Sequence, residues 1–189
     1  MQDFQFFIPL KKELNNSDLT GVASTLTIDR DDEKMSEKAL NMMVDDIRRQ
    51  GVNLFGNHEH NWENTLGVIK QAELSGSKVK IGITLDDANT NPKVPMMLNK
   101  LKRGIKLGLS VGGTVTKDRW EYDREKEKKV RVLDEVKIYE VSVVGIPSNT
   151  ESFLTIPQAI TKQFKQITKN CPCCFNKIEK SCNLCFWRE

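Results

Sequence analysis

Two histidines occur in the whole sequence, and both lie in Asn57-His-Glu-His-Asn61. Histidine is the side chain whose charge changes nearest neutral pH, so His58 and His60 are the candidate general bases, or a pair of metal ligands. A candidate nucleophile is Ser110 in Gly108-Leu-Ser-Val-Gly-Gly113, with glycines at −2, +2 and +3 inside an otherwise apolar β-like segment. Glycines there admit another chain close to the backbone, and the amides of Val111, Gly112 and Gly113 could hold an oxyanion. Glu140 stands in Val136-Lys-Ile-Tyr-Glu-Val-Ser-Val-Val144, on a face shared with Val136, Ile138, Ser142 and Val144. A carboxylate on such a face needs a partner, because burying it alone costs several kcal/mol, of order ~3 or more, or neutralises it. A salt bridge to Lys106 or Arg103 is one solution. The other is an imidazole, which would complete a Ser–His–carboxylate set in the chain order His, Ser, Glu.

The literal G-x-S-x-G pattern suggests a nucleophile elbow, but two features oppose it. The residues after Ser110, Val-Gly-Gly-Thr-Val-Thr, do not form a helical pattern, and both histidines precede the serine.

A separate chemistry lies at the far end of the chain. Cys171, Cys174, Cys182 and Cys185 form C-x2-C-x7-C-x2-C, with Cys173 as a spare thiol able to replace a neighbour. Two such knuckles supply four thiolates at the spacing of a tetrahedral structural Zn²⁺ site, although spacing alone admits iron. No open coordination position is offered, so the expected role is structural or docking, and catalysis needs no cofactor.

The elements that must position these groups read as short strands with two helices. Strand-like segments are Phe4–Pro9, Gly21–Ile28, Val52–His58, Gly67–Leu74, Lys78–Leu85, Leu107–Thr116 and Val130–Gly145. Ser36 is the expected N-cap of a helix through Arg49, which Gly51 stops. Pro95 is expected to open a second helix with Met97, Leu98, Leu101 and Ile105 as its apolar stripe. The mixed-charge stretch Lys117–Lys129 reads as a solvated hairpin tip. This pattern predicts a β-barrel or a mainly β α+β domain rather than a parallel doubly wound sheet.

The 189 residues carry 29 basic and 26 acidic side chains, a net charge of +3 that is unevenly spread. From Ala159 onward the net charge is +4, and the remainder is −1. All five cysteines lie in the last 19 residues. The near-neutral body argues against general nucleic-acid binding and has no disulfide framework. No apolar run approaches the ~20 residues of a membrane span, and Met1–Pro9 lacks the basic start and cleavage site of a secretory signal. A soluble, intracellular protein is expected, divided as 1–158, a linker or short helix at 159–169, and a zinc knuckle at 170–189.

Several of these motifs occur together in a definite order: Gly21-Val-Ala-Ser24, Asp29-Arg-Asp31, Asn53-Leu-Phe-Gly-Asn-His-Glu59 followed by Leu66-Gly67, Gly108-Leu-Ser-Val-Gly112, and Tyr139-Glu-Val-Ser-Val-Val-Gly-Ile-Pro-Ser-Asn149. The series, over roughly residues 19–153, resembles the tailed-phage prohead maturation proteases, similar in fold to herpesvirus assembly proteases. That resemblance implies an α+β, mainly β fold, a compact β-barrel flanked by helices, and a serine endopeptidase acting inside the assembling prohead, in the cytoplasm of an infected bacterium, on scaffold and capsid proteins and on itself. By position it implies Ser110 as nucleophile, His58 as base with His60 as alternate, and Glu140 as third member with Asp134 as alternate. Expected partners are capsid and scaffold proteins, with further copies of the chain a second kind. Nucleic acid would be contacted only through the basic tail, and no membrane is expected. Two rivals stand beside this reading: a non-catalytic assembly or scaffold-binding module of the same fold, and a zinc-dependent nucleic-acid-binding protein.

Overall fold

The structure is a computed structural model and describes residues 17–156. The chain divides into two units, and the described residues fall in the first, Met1–Thr155, apart from Ile156. The expected strand at Phe4–Pro9, the linker at 159–169 and the cysteine knuckle lie outside the described residues.

Eight strands form one sheet: β1 (Leu19–Thr25), β2 (Glu33–Met35), β3 (Val52–Gly56), β4 (Thr65–Ser75), β5 (Lys78–Leu85), β6 (Gly108–Asp123), β7 (Lys128–Val144) and β8 (Leu154–Thr155). Two α-helices accompany them, α1 (Glu37–Gln50) and α2 (Lys93–Lys102). The strand order is β2-β7-β3-β4-β5-β1-β8, and β6 pairs with β7. The 17 residues of β7 are long enough to take two partners in succession. The parallel strand β2 pairs along Arg131–Leu133, and the parallel strand β3 along Glu140–Val143. The sheet curls into a half-barrel, so that β8 meets the start of β6. There the Leu109 N–H donates to Ser152 O (3.0 Å) and the Leu154 N–H to Leu107 O (3.1 Å).

Helix α1 follows its sequence signals. The Ala39 N–H donates to the Ser36 side chain, and at the other end the Gly51 N–H, at φ 70°, donates to Ile47 O. Leu40, Met43 and Ile47 are fully buried on the face that covers β4 and β7. Burial of each such side chain contributes about 1.5–3 kcal/mol. The same face buries Asp46, whose Oδ2 accepts the Ile138 N–H at 3.1 Å. Between Gly112/Glu140 and Gly113/Ile138 the β6–β7 register slips, leaving Tyr139 as an extra residue. A bulge of this kind disrupts the ladder locally, and Asp46 satisfies the backbone donor at Ile138.

Several boundaries differ from expectation for local physical reasons. Strand β1 ends at Thr25, not Ile28, because the Thr27 N–H folds back to the Thr25 hydroxyl. Strand β3 ends at Gly56, not His58, for the reason given below. Helix α2 begins at Lys93, where the Asn91 side chain accepts the Lys93 N–H. Pro95 thus falls within its first turn, where a missing N–H costs little, and Ile105 lies past its end and is exposed. The charged stretch is mostly strand: β6 runs to Asp123 and β7 starts at Lys128. Its charges are paired across strands, Arg131 with Asp118 and Glu33, and Lys34 with Glu121. The opposite charges of Arg131 and its partners Asp118 and Glu33 lie on paired strands and support the ladder. Strand β2 lies between Ile28 and Ser36, where no strand is expected from the sequence. Among the described residues, no helix is long and apolar enough to cross a membrane.

Candidate active site

The site forms where β3 ends against the C-terminal half of β7. After Gly56 the chain makes a tight turn closed by the Glu59 N–H to Gly56 O (3.1 Å), with Asn57 at φ 53° and His58 at φ 58°. Left-handed backbone is uncommon outside glycine, and asparagine and histidine are among the residues that adopt it more readily. The turn is pinned to β7 by the Asn57 N–H to Val143 O (2.9 Å) and the His58 N–H to Ser142 Oγ (3.1 Å). His58 therefore does not continue the strand alternation expected from Val52 and Leu54.

This turn directs the His58 ring onto Glu140, and the Nδ1–Oε1 separation is 2.6 Å. Glu140 is 3% exposed, and its other oxygen, Oε2, accepts from Ser142 Oγ–H at 2.7 Å. His60 stands on the outside of the same carboxylate, with Nε2 3.3 Å from Oε1 and its ring against Phe55. Lys106 and Arg103, the cationic partners weighed for Glu140, are not its partners. The three ligand atoms of His58, His60 and Glu140 lie within 4.8 Å of one another, close enough to hold a divalent cation. However, 2.6 Å is the span of a shared proton, whereas two ligands of one tetrahedral ion sit about 3.3 Å apart.

Gly112 makes room for this carboxylate. It pairs with Glu140 across β6 and β7, and a Cβ added to it would stand closer than 3.0 Å to Glu140 Oε1. Gly112→Ala is therefore expected to push Glu140 off His58 and lower kcat/KM by roughly 10-fold or more, as loss of one charge-assisted hydrogen bond would. Steady-state cleavage assays on the purified variant measure this; an unchanged kcat/KM would show that the contact does not matter.

Ser110 lies directly opposite Ser142 in the same ladder. Paired residues share a face of the sheet, with Cα atoms about 5.5 Å apart, so Ser110 is on the Glu140 side of β6. Among the described residues, its hydroxyl makes no hydrogen bond to the His58 ring. It lines a cavity of about 260 Å³ whose wall also carries Asp29, Asp31 and Glu33. Burial pushes the Asp29 carboxyl up, against the lowering effect of the Glu33 and Asp31 amides that bond to it. The Leu109 N–H bonds to Ser152, away from β7. By strand alternation the Val111 N–H points the same way and the Gly112 N–H points toward β7. Gly113 stands at the bulge.

Asp134 is elsewhere. It is ion-paired to Arg119, whose guanidinium holds the Asp134 carboxyl below its usual range. Neighbouring Glu135 pairs with Lys38 at 2.7 Å. Of the candidates, the fold thus brings His58, His60 and Glu140 into contact, sets Ser110 on the adjoining strand, and leaves Asp134 out. Sequence reasoning gave no role to Ser142 or Asp46, although Ser142, two residues from Glu140, carries a signal in its alternation, and it read Gly112 for its amide and not for the space it leaves to Glu140.

A family model described as caudovirus prohead serine protease matches residues 11–176. Among solved structures, the capsid assembly protease of bacteriophage T4 is similar in fold, with a TM-score of 0.53 at 14% identity. That similarity covers 66% of this chain and 79% of the phage T4 protein. No curated protein matches the sequence.

Proposed function

Because the chain belongs to the caudovirus prohead serine protease family, we propose that Ser110, His58 and Glu140 are its nucleophile, general base and orienting carboxylate. The observation that carries this assignment is the 2.6 Å contact between His58 Nδ1 and the buried Glu140. A carboxylate at Nδ1 holds the proton there and leaves the Nε2 lone pair free to accept one. In the reaction, His58 Nε2 takes the Ser110 proton as Oγ attacks the peptide carbonyl carbon. The Val111 N–H, turned away from β7, would stabilise the oxyanion; one such donor is typically worth about 100-fold or more. The imidazolium, stabilised by Glu140, protonates the departing amine. Water, deprotonated by the same imidazole, then hydrolyses the ester. The Ser110–His58 hydrogen bond would form as substrate enters, since such contacts are often long in free enzymes.

The substrates would be segments of scaffold and capsid proteins within the prohead, and of the protease itself. A fluorophosphonate probe tests the assignment. Labelling is expected in the full chain and in His60→Ala, and should vanish in Ser110→Ala and His58→Ala. Labelling that survives Ser110→Ala would overturn it.

For the tail, the proposal is that Cys171, Cys174, Cys182 and Cys185 hold one structural Zn²⁺, with Cys173 as a spare thiol able to replace a neighbour. Four thiolates in two knuckles are a complete ligand set for this ion. The purified chain is expected to contain about one zinc per molecule by mass spectrometry, and Cys171→Ser/Cys174→Ser should lose it. Equal metal content in both proteins would refute the site.

A further inference from the structure

We propose that Ser142 is a positioning residue of the peptidase site, fixing the His58 turn and the Glu140 carboxylate to each other. This rests on the assignment of Ser110, His58 and Glu140 above.

Ser142 is completely buried, yet neither hydrogen bond of its hydroxyl goes to the backbone of its own strand. The oxygen accepts the His58 backbone N–H at 3.1 Å, and the hydroxyl proton goes to Glu140 Oε2 at 2.7 Å. Glu140 Oε1 in turn meets His58 Nδ1 at 2.6 Å. The three contacts close a ring: His58 backbone to Ser142, Ser142 to Glu140, and Glu140 back to the His58 ring. A ring of this kind constrains what a single contact cannot. The bond to the His58 N–H holds the residue in its left-handed conformation, a strained one that persists only where surroundings determine it. The bond to Oε2 stops the carboxylate from rotating about its terminal torsion, which is otherwise soft. With one oxygen held by Ser142, the other is presented to Nδ1, and the imidazole is kept in the tautomer whose Nε2 is free.

The placement also suits a serine that must not interfere. Ser142 lies opposite Ser110 in the β6–β7 ladder, but its single proton is committed to Glu140. The two hydroxyls therefore share a face without competing for the base. An ordinary buried serine would satisfy itself on a nearby backbone carbonyl, as Ser152 does on Ala23 O at 3.1 Å.

Replacing Ser142 with alanine keeps the volume nearly unchanged but leaves one carboxylate oxygen and one backbone N–H short of a partner. Ser142→Ala is expected to lower kcat roughly 10- to 100-fold with KM within about twofold, matching one hydrogen bond to a charged group. Ser142→Thr, which restores the hydroxyl, is expected to recover at least part of that loss. The downfield proton resonance of the His58 Nδ1–H···carboxylate bond should weaken or move in the alanine variant and return in the threonine one. Circular dichroism and thermal melting establish that each variant is folded. If Ser142→Ala does not fold, the threonine variant alone decides, through its kcat and its resonance. A folded Ser142→Ala with wild-type kcat, or an unmoved resonance, would overturn the proposal. Probe labelling of the unmodified chain at Ser110 separates this failure from failure of the underlying assignment. If Ser110 reacts normally and Ser142→Ala is as fast, only the role of Ser142 falls.

Discussion

Ser110→Ala is expected to lower cleavage of capsid or scaffold protein by about 10⁴-fold or more, with the melting temperature within about 2 °C of the parent. The two halves of that expectation have separate causes. Removing Oγ removes the atom that forms the acyl ester, and the hydroxyl paired with it across the ladder, that of Ser142, is already bonded to His58 and Glu140. Stability is little affected because Ser110 is only half-buried and its hydroxyl holds no other part of the described structure together. Co-expression with the substrate proteins and gel analysis of their processing, alongside melting curves, measures both. Processing at the parent rate by a folded variant would remove Ser110 from the mechanism.

Glu140→Gln is expected to lower kcat by about 10²- to 10⁴-fold while KM stays within about threefold. The change keeps shape and removes charge. A neutral amide no longer stabilises the imidazolium that forms as Ser110 attacks. It also disturbs the ring of hydrogen bonds. If the amide oxygen faces His58 Nδ1–H, its NH₂ faces Ser142, which then loses the acceptor for its own proton. The fold should tolerate the change, since an amide costs less to bury than a carboxylate. Asp134→Asn is the matching control, because Asp134 lies on another part of β7, paired with Arg119 of β6, and its kcat should stay within about twofold. Kinetic constants for both variants decide between the carboxylates. Full activity in Glu140→Gln would mean that no charge is needed at this position.

Much of the local chemistry was legible from residue types and spacing. The cap at Ser36, the stop at Gly51 and the bounds of β5 follow from nearest-neighbour physics, which the sequence carries in full. Alternation likewise put Glu140 and Ser142 on one face. Where expectation failed, longer-range contacts had overridden local pattern. Pairing carries β6 to Asp123 and β7 back to Lys128, further into the exposed hairpin tip of Lys117–Lys129 than residue types alone mark, with Arg131 paired to Asp118 and Glu33 on the strands beside it. His58 looks like the end of an alternating strand until two bonds to β7 turn its backbone left-handed.

The amino-acid sequence by itself determined the inventory of this site: two histidines in one short segment, a serine among glycines and a carboxylate in an apolar strand. It left open whether Glu140 or Asp134 meets an imidazole. Only the tertiary structure decided this, through the parallel pairing of β3 with β7 that carries the turn after Gly56 onto Glu140, 82 residues away from His58 in the chain. A side chain's face depends on its own strand, but its neighbour depends on which strands pair and in what register, and that is settled by the curl of the whole sheet around its core.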